Sequence, residues 1–192
     1  MTKLYFVRHG PTQRNTLVGW TDVPADLSDT AALARLSAHL PGEALLVSSD
    51  LVRCVATADA IQGDRTRLPH DAGLRELNFG NWEDRTFADV AETDPGLSRA
   101  YWSDPGDPAP PGGESWNAAA ARVEGAVGRL LSAHPGRDLI VVAHFGAILT
   151  QVQRAARMPA RSALAFKIDN LSVTTLEFTD PAWRVLGVNH VL

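Results

Sequence analysis

The chain is predicted to form a three-layer α/β/α sandwich around a mostly parallel sheet, and three observations predict it. Unbroken apolar runs at residues 4–7, 44–47 and 139–143 have the length and β-branched content of buried strands. Segments with apolar residues at helical spacing alternate with them, so each strand returns to the next by a crossover. Each run stops abruptly in polar or small residues: Arg8-His9-Gly10, Ser48-Ser49-Asp50 and His144-Phe145-Gly146. In a parallel sheet those ends share one edge, which is where α/β proteins bind ligands.

Taken in order, residues 15–29 are rich in Gly, Pro, Asp and Thr and form a loop around Trp20. Asp29 caps a helix over 30–40, with Leu33, Leu36 and Leu40 on one face and Pro41-Gly42 as its stop. After the second strand, Ser48-Ser49-Asp50 is an N-cap signal for a helix whose buried face is Leu51, Cys54, Val55, Ala58 and Ile61. Arg53 lies off that face in the first turn, where helix-start amides and the dipole favour a phosphate. Residues 68–77 read as a short strand into a loop, and 86–102 as one or two short helices. The Pro- and Gly-rich stretch at 103–113 excludes regular structure. Its flanks are too small for a second core, so 83–115 is read as a lid-like insertion in a single domain spanning 1–192. Trp116, Ala120, Val123, Val127 and Leu130 define the next helix, with Arg122, Glu124 and Arg129 away from its buried face; it ends near His134-Pro135-Gly136. A further helix covers 147–157, and the tail is read as three strands at 164–168, 173–178 and 183–188.

Composition narrows the function. A net charge of −4 with dispersed basic residues argues against nucleic acid as a partner. No apolar run approaches the length of a membrane span, and no signal-peptide pattern opens the chain, so a cytoplasmic protein is expected. Cys54 is the only cysteine, which excludes an internal disulfide and a cysteine-rich metal site. Homodimerisation is left open.

The converging strand ends bring together Arg8, His9, Arg53 and His144. Two guanidiniums, two imidazoles and helix-start amides make a pocket for a dianion such as a phosphate monoester. That pocket also suits the spread charge of a phosphoryl group in transfer.

These residues fall into four ordered motifs. The first is Arg8-His9-Gly10-Pro11-Thr12 with Asn15, and the second is Ser48, Ser49, Leu51, Arg53, Thr57 and Ala58. The third runs from Leu74 through Glu76 and Phe79-Gly80 to Trp82-Glu83, and the fourth is Val141-Val142-Ala143-His144. Over nearly its whole length the chain resembles the histidine phosphatase superfamily, whose fold is phosphoglycerate mutase-like. The resemblance implies a phosphohistidine mechanism without metal or cofactor. His9 attacks phosphorus, Arg8, Arg53, Asn15 and His144 hold the phosphoryl oxygens, and Glu76 protonates the leaving oxygen and then activates water. The substrate implied is a small phosphorylated metabolite, with inorganic phosphate as product.

Within the superfamily the chain is similar to α-ribazole phosphatases of cobalamin synthesis, through the Gly-Trp-Thr-Asp-Val-Pro run at 19–24, the third motif, and Pro-Gly-Gly-Glu-Ser-Trp at 111–116. Trp20, Thr21 and Glu114, which lie in these runs, and Phe145, which follows the second histidine, are the expected substrate-binding residues. Pro11 and Phe145 depart from the family pattern and bear on substrate identity. Glycolytic mutases carry a longer insertion and a tail that shields the phosphohistidine from water, so hydrolysis is expected to outrun transfer. The alternatives are a broad sugar or nucleotide phosphatase, a mutase-like phosphotransferase, or a silent phosphate-binding module. A two-metal hydrolase lacks its carboxylate cluster here. Glu83 is the rival acid, or else a solvent-facing residue beside the insertion. His39, His70, His134 and His190 match no motif. Packing is the default reading for Cys54 and for each tryptophan.

Overall fold

The computed structural model describes all 192 residues. One five-stranded sheet contains β1 (Thr2–Arg8), β2 (Leu45–Ser48), β3 (Leu139–Ala143), β4 (Val173–Thr179) and β5 (Ala182–His190). The spatial order is β2-β3-β1-β4-β5. β3 pairs parallel with both β1 and β2, while β4 is antiparallel to β1 and to β5. Four strands therefore run one way and β4 alone is reversed. The register sets Arg8 opposite Ala143, and Ser48 opposite Val142. The three parallel strands thus finish almost level, and their polar extensions leave from one edge.

Helices cover both faces because side chains alternate along each strand. Val7, Leu46, Ile140 and Val142 pack on α1 (Thr30–His39) and α2 (Val52–Ile61) through Leu33, Leu36, Cys54, Ala58 and Ile61. Leu4, Phe6, Val47, Leu139 and Val141 face α5 (Trp116–Ala133) and α6 (Phe145–Ala156) through Val123, Val127, Ile148, Leu149 and Val152. Each such aliphatic side chain contributes ~1.5–3 kcal/mol by leaving water. Asp29 caps α1 by accepting from the Ala32 N–H at 2.9 Å. Between residues 83 and 115 the chain forms α3 (Phe87–Thr93) and α4 (Pro95–Ser103), and their Val90 and Tyr101 join Trp82 in the same core as α5 and α6. A last short helix, α7 (Ala160–Ala163), precedes β4.

Three local expectations are corrected. Residues 164–168 are not a strand: they follow α7 as a turn and an irregular segment leading toward β4, and it is β4 that pairs with β1. Residues 68–77 form a 3₁₀ turn (Ala72–Leu74) after a single bridge between Leu46 and Arg67. Ser48-Ser49-Asp50 does not cap α2, whose N-cap is Leu51; the Val52 N–H is instead held at 2.7 Å by the Asp22 carboxylate from the distant 15–29 loop.

Candidate active site

His9 leaves the end of β1 with its backbone fixed on both sides. Its N–H donates to the Ala143 carbonyl at 3.0 Å, and its carbonyl accepts from the Asn170 amide at 2.8 Å. The ring Nδ1 lies 2.6 Å from the Gly10 carbonyl, which can only accept, so the proton sits on Nδ1 and Nε2 keeps its lone pair. The Gly10 N–H donates in turn to the Thr57 hydroxyl at 3.0 Å, and that hydroxyl donates to the Arg53 carbonyl at 2.7 Å. Burial pushes the His9 pKa down from 6.5 to about 3; Arg53 and Arg8 push the same way, while the Gly10 bond opposes them. His9 is therefore neutral at any ordinary pH.

The two arginines are anchored by carbonyl oxygens and make no direct ion pair, although the Glu76 carboxylate acts on both through space. Arg8 donates to the Ile168 carbonyl at 2.6 Å and lies over the Phe145 ring at 5.5 Å, and its Nε is buried with no partner in the chain. Arg53 was expected off the buried face of α2, yet it is only 1 % exposed. Its terminal nitrogens donate to the carbonyls of Gly19 at 2.6 Å and Thr21 at 2.9 Å. His144, the N-cap of α6, is fully buried, and its ring meets that of His9 edge-on with centroids 5.1 Å apart. Burial first, then His9 and the surrounding arginines, holds its pKa well below the usual histidine value. The Cys54 sulfur lies 3.3 Å from His144 Nε2, and burial pushes that thiol up, so it stays protonated beside the ring.

Glu76 occupies the start of α6. Its Oε1 accepts from the N–H groups of Leu77 at 3.0 Å and Ala147 at 3.1 Å, and Oε2 accepts from Gly146 at 3.1 Å. A side chain at position 146 would overlap Leu77 and fall 2.5 Å from Oε1, so glycine is required for this approach. Behind Glu76, the Trp20 indole N–H donates to its carbonyl at 2.8 Å and Arg122 donates to the same oxygen at 3.0 Å. Arg122 also binds the carbonyls of Gly73 and Arg75 and makes a two-pronged pair with Glu114, both contacts at 2.8 Å.

A cavity of about 230 Å³ opens over these groups. Arg8, His9, Arg53 and Glu76 line its floor with Phe145, and Thr12, Arg14, Phe79, Phe87, Trp102 and Trp116 are among its walls. The four motifs thus meet as expected, with His144 set beneath the floor. The nominated outer residues fare differently. Asn15 is exposed and off the cavity wall, where its neighbours Arg14 and Thr16 lie instead. Trp20 and Glu114 stand behind Glu76, and Thr21 holds Arg53 through its carbonyl; of the four substrate-binding nominations, only Phe145 lines the cavity. Arg122 was read as pointing away from the core and is the missed support of Glu76. No group of three or more His, Cys, Asp or Glu is arranged to hold a metal ion.

Fold and site together set two arginines, a neutral histidine and a carboxylate on one cavity at the strand-end edge of an α/β sheet. Residues 4–191 match the model of the histidine phosphatase superfamily (branch 1), and the chain belongs to that family. Among curated relatives it is similar to the protein of Salmonella paratyphi C named "Probable phosphoglycerate mutase GpmB", 28% identical over 97% of this chain and 90% of that one. Among solved structures it resembles YhfR of Bacillus stearothermophilus, with a TM-score of 0.91, 26% identity, and coverage of 100% of this chain and 98% of that one. A mycobacterial glucosyl-3-phosphoglycerate phosphatase (TM-score 0.86, 27% identity) is covered completely on both sides. The α-ribazole phosphatase from Shigella flexneri (TM-score 0.83, 26% identity) matches over 98% of this chain and 96% of that one.

Proposed function

We propose that the chain is a metal-independent phosphomonoesterase that works through a phosphohistidine on His9. The observation that carries this reading is the bond from His9 Nδ1 to the Gly10 carbonyl, which leaves Nε2 as a neutral nucleophile on a residue lining the cavity. In the first step Nε2 bonds to phosphorus, the ester P–O bond breaks, and the leaving oxygen takes a proton from Glu76. In the second, water attacks phosphorus, the P–N bond breaks, and Glu76 recovers a proton. Arg8 and Arg53 hold the phosphoryl oxygens, each charge-assisted bond contributing about 1.5–3 kcal/mol, and a phosphoryl oxygen supplies the partner that Arg8 Nε lacks. His144, fully buried beneath the floor, supports the His9 ring edge-on and does not itself line the cavity. Glu76 Oε2 accepts a single bond, which leaves it a site for the transferred proton.

The substrate proposed first is α-ribazole 5′-phosphate, whose flat ring suits the aromatic wall of Phe79, Phe87 and Trp102. A second reading is an ester carrying another anionic group; it is favoured by Arg14, an exposed wall residue outside every ion pair of the structure, and by the likeness to a glucosyl-3-phosphoglycerate phosphatase. A mutase-like transfer has the likeness to GpmB in its favour. No helix is long and apolar enough to cross a membrane, and the cytoplasm is the proposed place of action.

The test is phosphate release in EDTA across α-ribazole 5′-phosphate, sugar phosphates, nucleotides, phosphoglycerates and p-nitrophenyl phosphate. The expected result is metal-independent turnover, an acid-labile phosphoryl adduct on quenched enzyme, and a loss of ~10⁴-fold or more in His9→Ala. Turnover retained by His9→Ala overturns the mechanism. A mutase rate on phosphoglycerate above the hydrolysis rate overturns the hydrolase assignment. Silence on every ester favours a binding module.

A further inference from the structure

Glu83 is not the solvent-facing residue that its position beside the insertion suggests. Five donors converge on its carboxylate. Oε2 accepts from the N–H of Gly19 at 3.0 Å, the N–H of Thr21 at 3.1 Å and the Thr21 hydroxyl at 2.6 Å. Oε1 accepts from the N–H of Trp20 at 2.8 Å and of Phe79 at 3.1 Å. Four of the five come from residues 19–21, and the carbonyls of Gly19 and Thr21 are the two that hold the Arg53 guanidinium. Glu83 does not line the cavity. The loop is also tight against its support: a side chain at Gly19 would overlap the Leu77 carbonyl and lie 2.5 Å from Glu83 Oε1.

We propose that Glu83 is the positioning residue of the phosphoryl site. By gathering the donors of residues 19–21 on one side of the loop, it turns the Gly19 and Thr21 carbonyls toward Arg53 and fixes the direction of the guanidinium fork. The arrangement answers a specific problem. A carboxylate placed directly on Arg53 would cancel the charge the phosphoryl group needs, whereas neutral carbonyls orient the fork and leave its charge free. The carboxylate is set one loop away instead, where it satisfies backbone donors. Glutamine, although isosteric, is a poor replacement, because on either side of the carboxylate its amide NH₂ would face two backbone N–H groups that can only donate.

This inference rests on the phosphohistidine reading for its kinetic effect, so the test reads binding as well as turnover. Glu83→Gln, Glu83→Asp and Arg53→Lys, singly and in double variants, are compared for phosphate release and, by calorimetry, for the affinity of inorganic phosphate. Misdirecting the fork in Glu83→Gln is expected to lower kcat/KM by about 10²-fold and to weaken phosphate binding by about tenfold. Glu83→Asp keeps the charge and is expected to recover part of both. In the Arg53→Lys background, which has no fork to orient, Glu83→Gln is expected to cost less than about threefold, because residues acting through one another are not additive. Equal losses in both backgrounds overturn the proposal and leave Glu83 a purely structural residue. If Glu83→Gln does not fold, Thr21→Val removes only the 2.6 Å bond, and its smaller loss is expected to vanish in the Arg53→Lys background in the same way. A wild type that binds phosphate without turnover sinks the phosphatase reading alone, and the coupling is then read from affinity. A wild type that neither binds nor turns over sinks both.

Discussion

The floor of the cavity and its outer wall are built on opposite plans. On the floor, each reacting group is held by backbone: His9 by the carbonyls of Gly10 and Ala143, Arg53 by Gly19 and Thr21, Glu76 by three N–H groups. The wall is held by packing. Phe87 is 57% exposed and leans on Trp102 with ring centroids 5.3 Å apart; Trp102 Nε1 and Thr16 Oγ1 are buried without partners, and Arg14 is exposed. Backbone contacts do not depend on the identity of the partner's side chain, so a floor made this way keeps its geometry while the wall varies. On the proposed mechanism, chemistry and specificity are thereby separated within one small pocket.

That separation is testable at three levels of effect. Replacing Glu76 by Gln removes the proposed proton donor from the floor, and hydrolysis of alkyl phosphates is expected to fall ~10²–10⁴-fold, with a much smaller loss for p-nitrophenyl phosphate, whose leaving group needs no proton. Equal losses on both esters would make Glu76 an anchor of α6 and place it outside the proton transfer. On the wall, Arg14→Gln is expected to reduce kcat/KM about tenfold for phosphoglycerates and to leave p-nitrophenyl phosphate unchanged. A loss shared by every ester would put the wall into the chemistry and dissolve the comparison.

The third test concerns what the floor does to stability. His9 and His144 are both held below the ordinary histidine value of 6.5, so below that pH the unfolded chain takes up protons that the native chain excludes. Stability is therefore expected to drop as pH falls through 6.5 and to keep dropping toward the depressed native values. Between pH 7 and pH 6 the change is about 1–2 kcal/mol for the two residues together. Denaturant midpoints at the two pH values measure it, and His9→Asn should remove about half of the difference. A midpoint that rises on acidification would mean that one imidazole is charged in the native state.

The sequence was informative where chemistry sits on a regular element. Buried strands closed by Arg8-His9-Gly10 and by His144-Phe145-Gly146 announce both the sheet and the edge that binds, because unbroken apolar runs have few other uses. It was silent where a contact spans the chain. Arg53 was placed off the buried face of α2, since helical periodicity sees only its own helix, and the carbonyls that make its burial tolerable come from residues 19–21. Glu114 and Arg122 were read separately, as a substrate ligand and as a residue turned away from the core, although they pair with one another across the N-terminal turns of α5. Residues 164–168 carry a strand's composition, but they form the turn and irregular segment between α7 and β4, and it is β4 that takes the place beside β1.

Gly146 sets the terms on which this pocket can acquire new substrates. Since no side chain fits there beside Leu77 and Glu76, variation at the mouth of α6 is closed, and the same crowding closes Gly19. What stays open to a laboratory library, or to descent with modification, is the half of the cavity that no backbone contact fixes: Arg14, Phe87 and Trp102. Changes collected there alter what is admitted and leave untouched the groups that act on it.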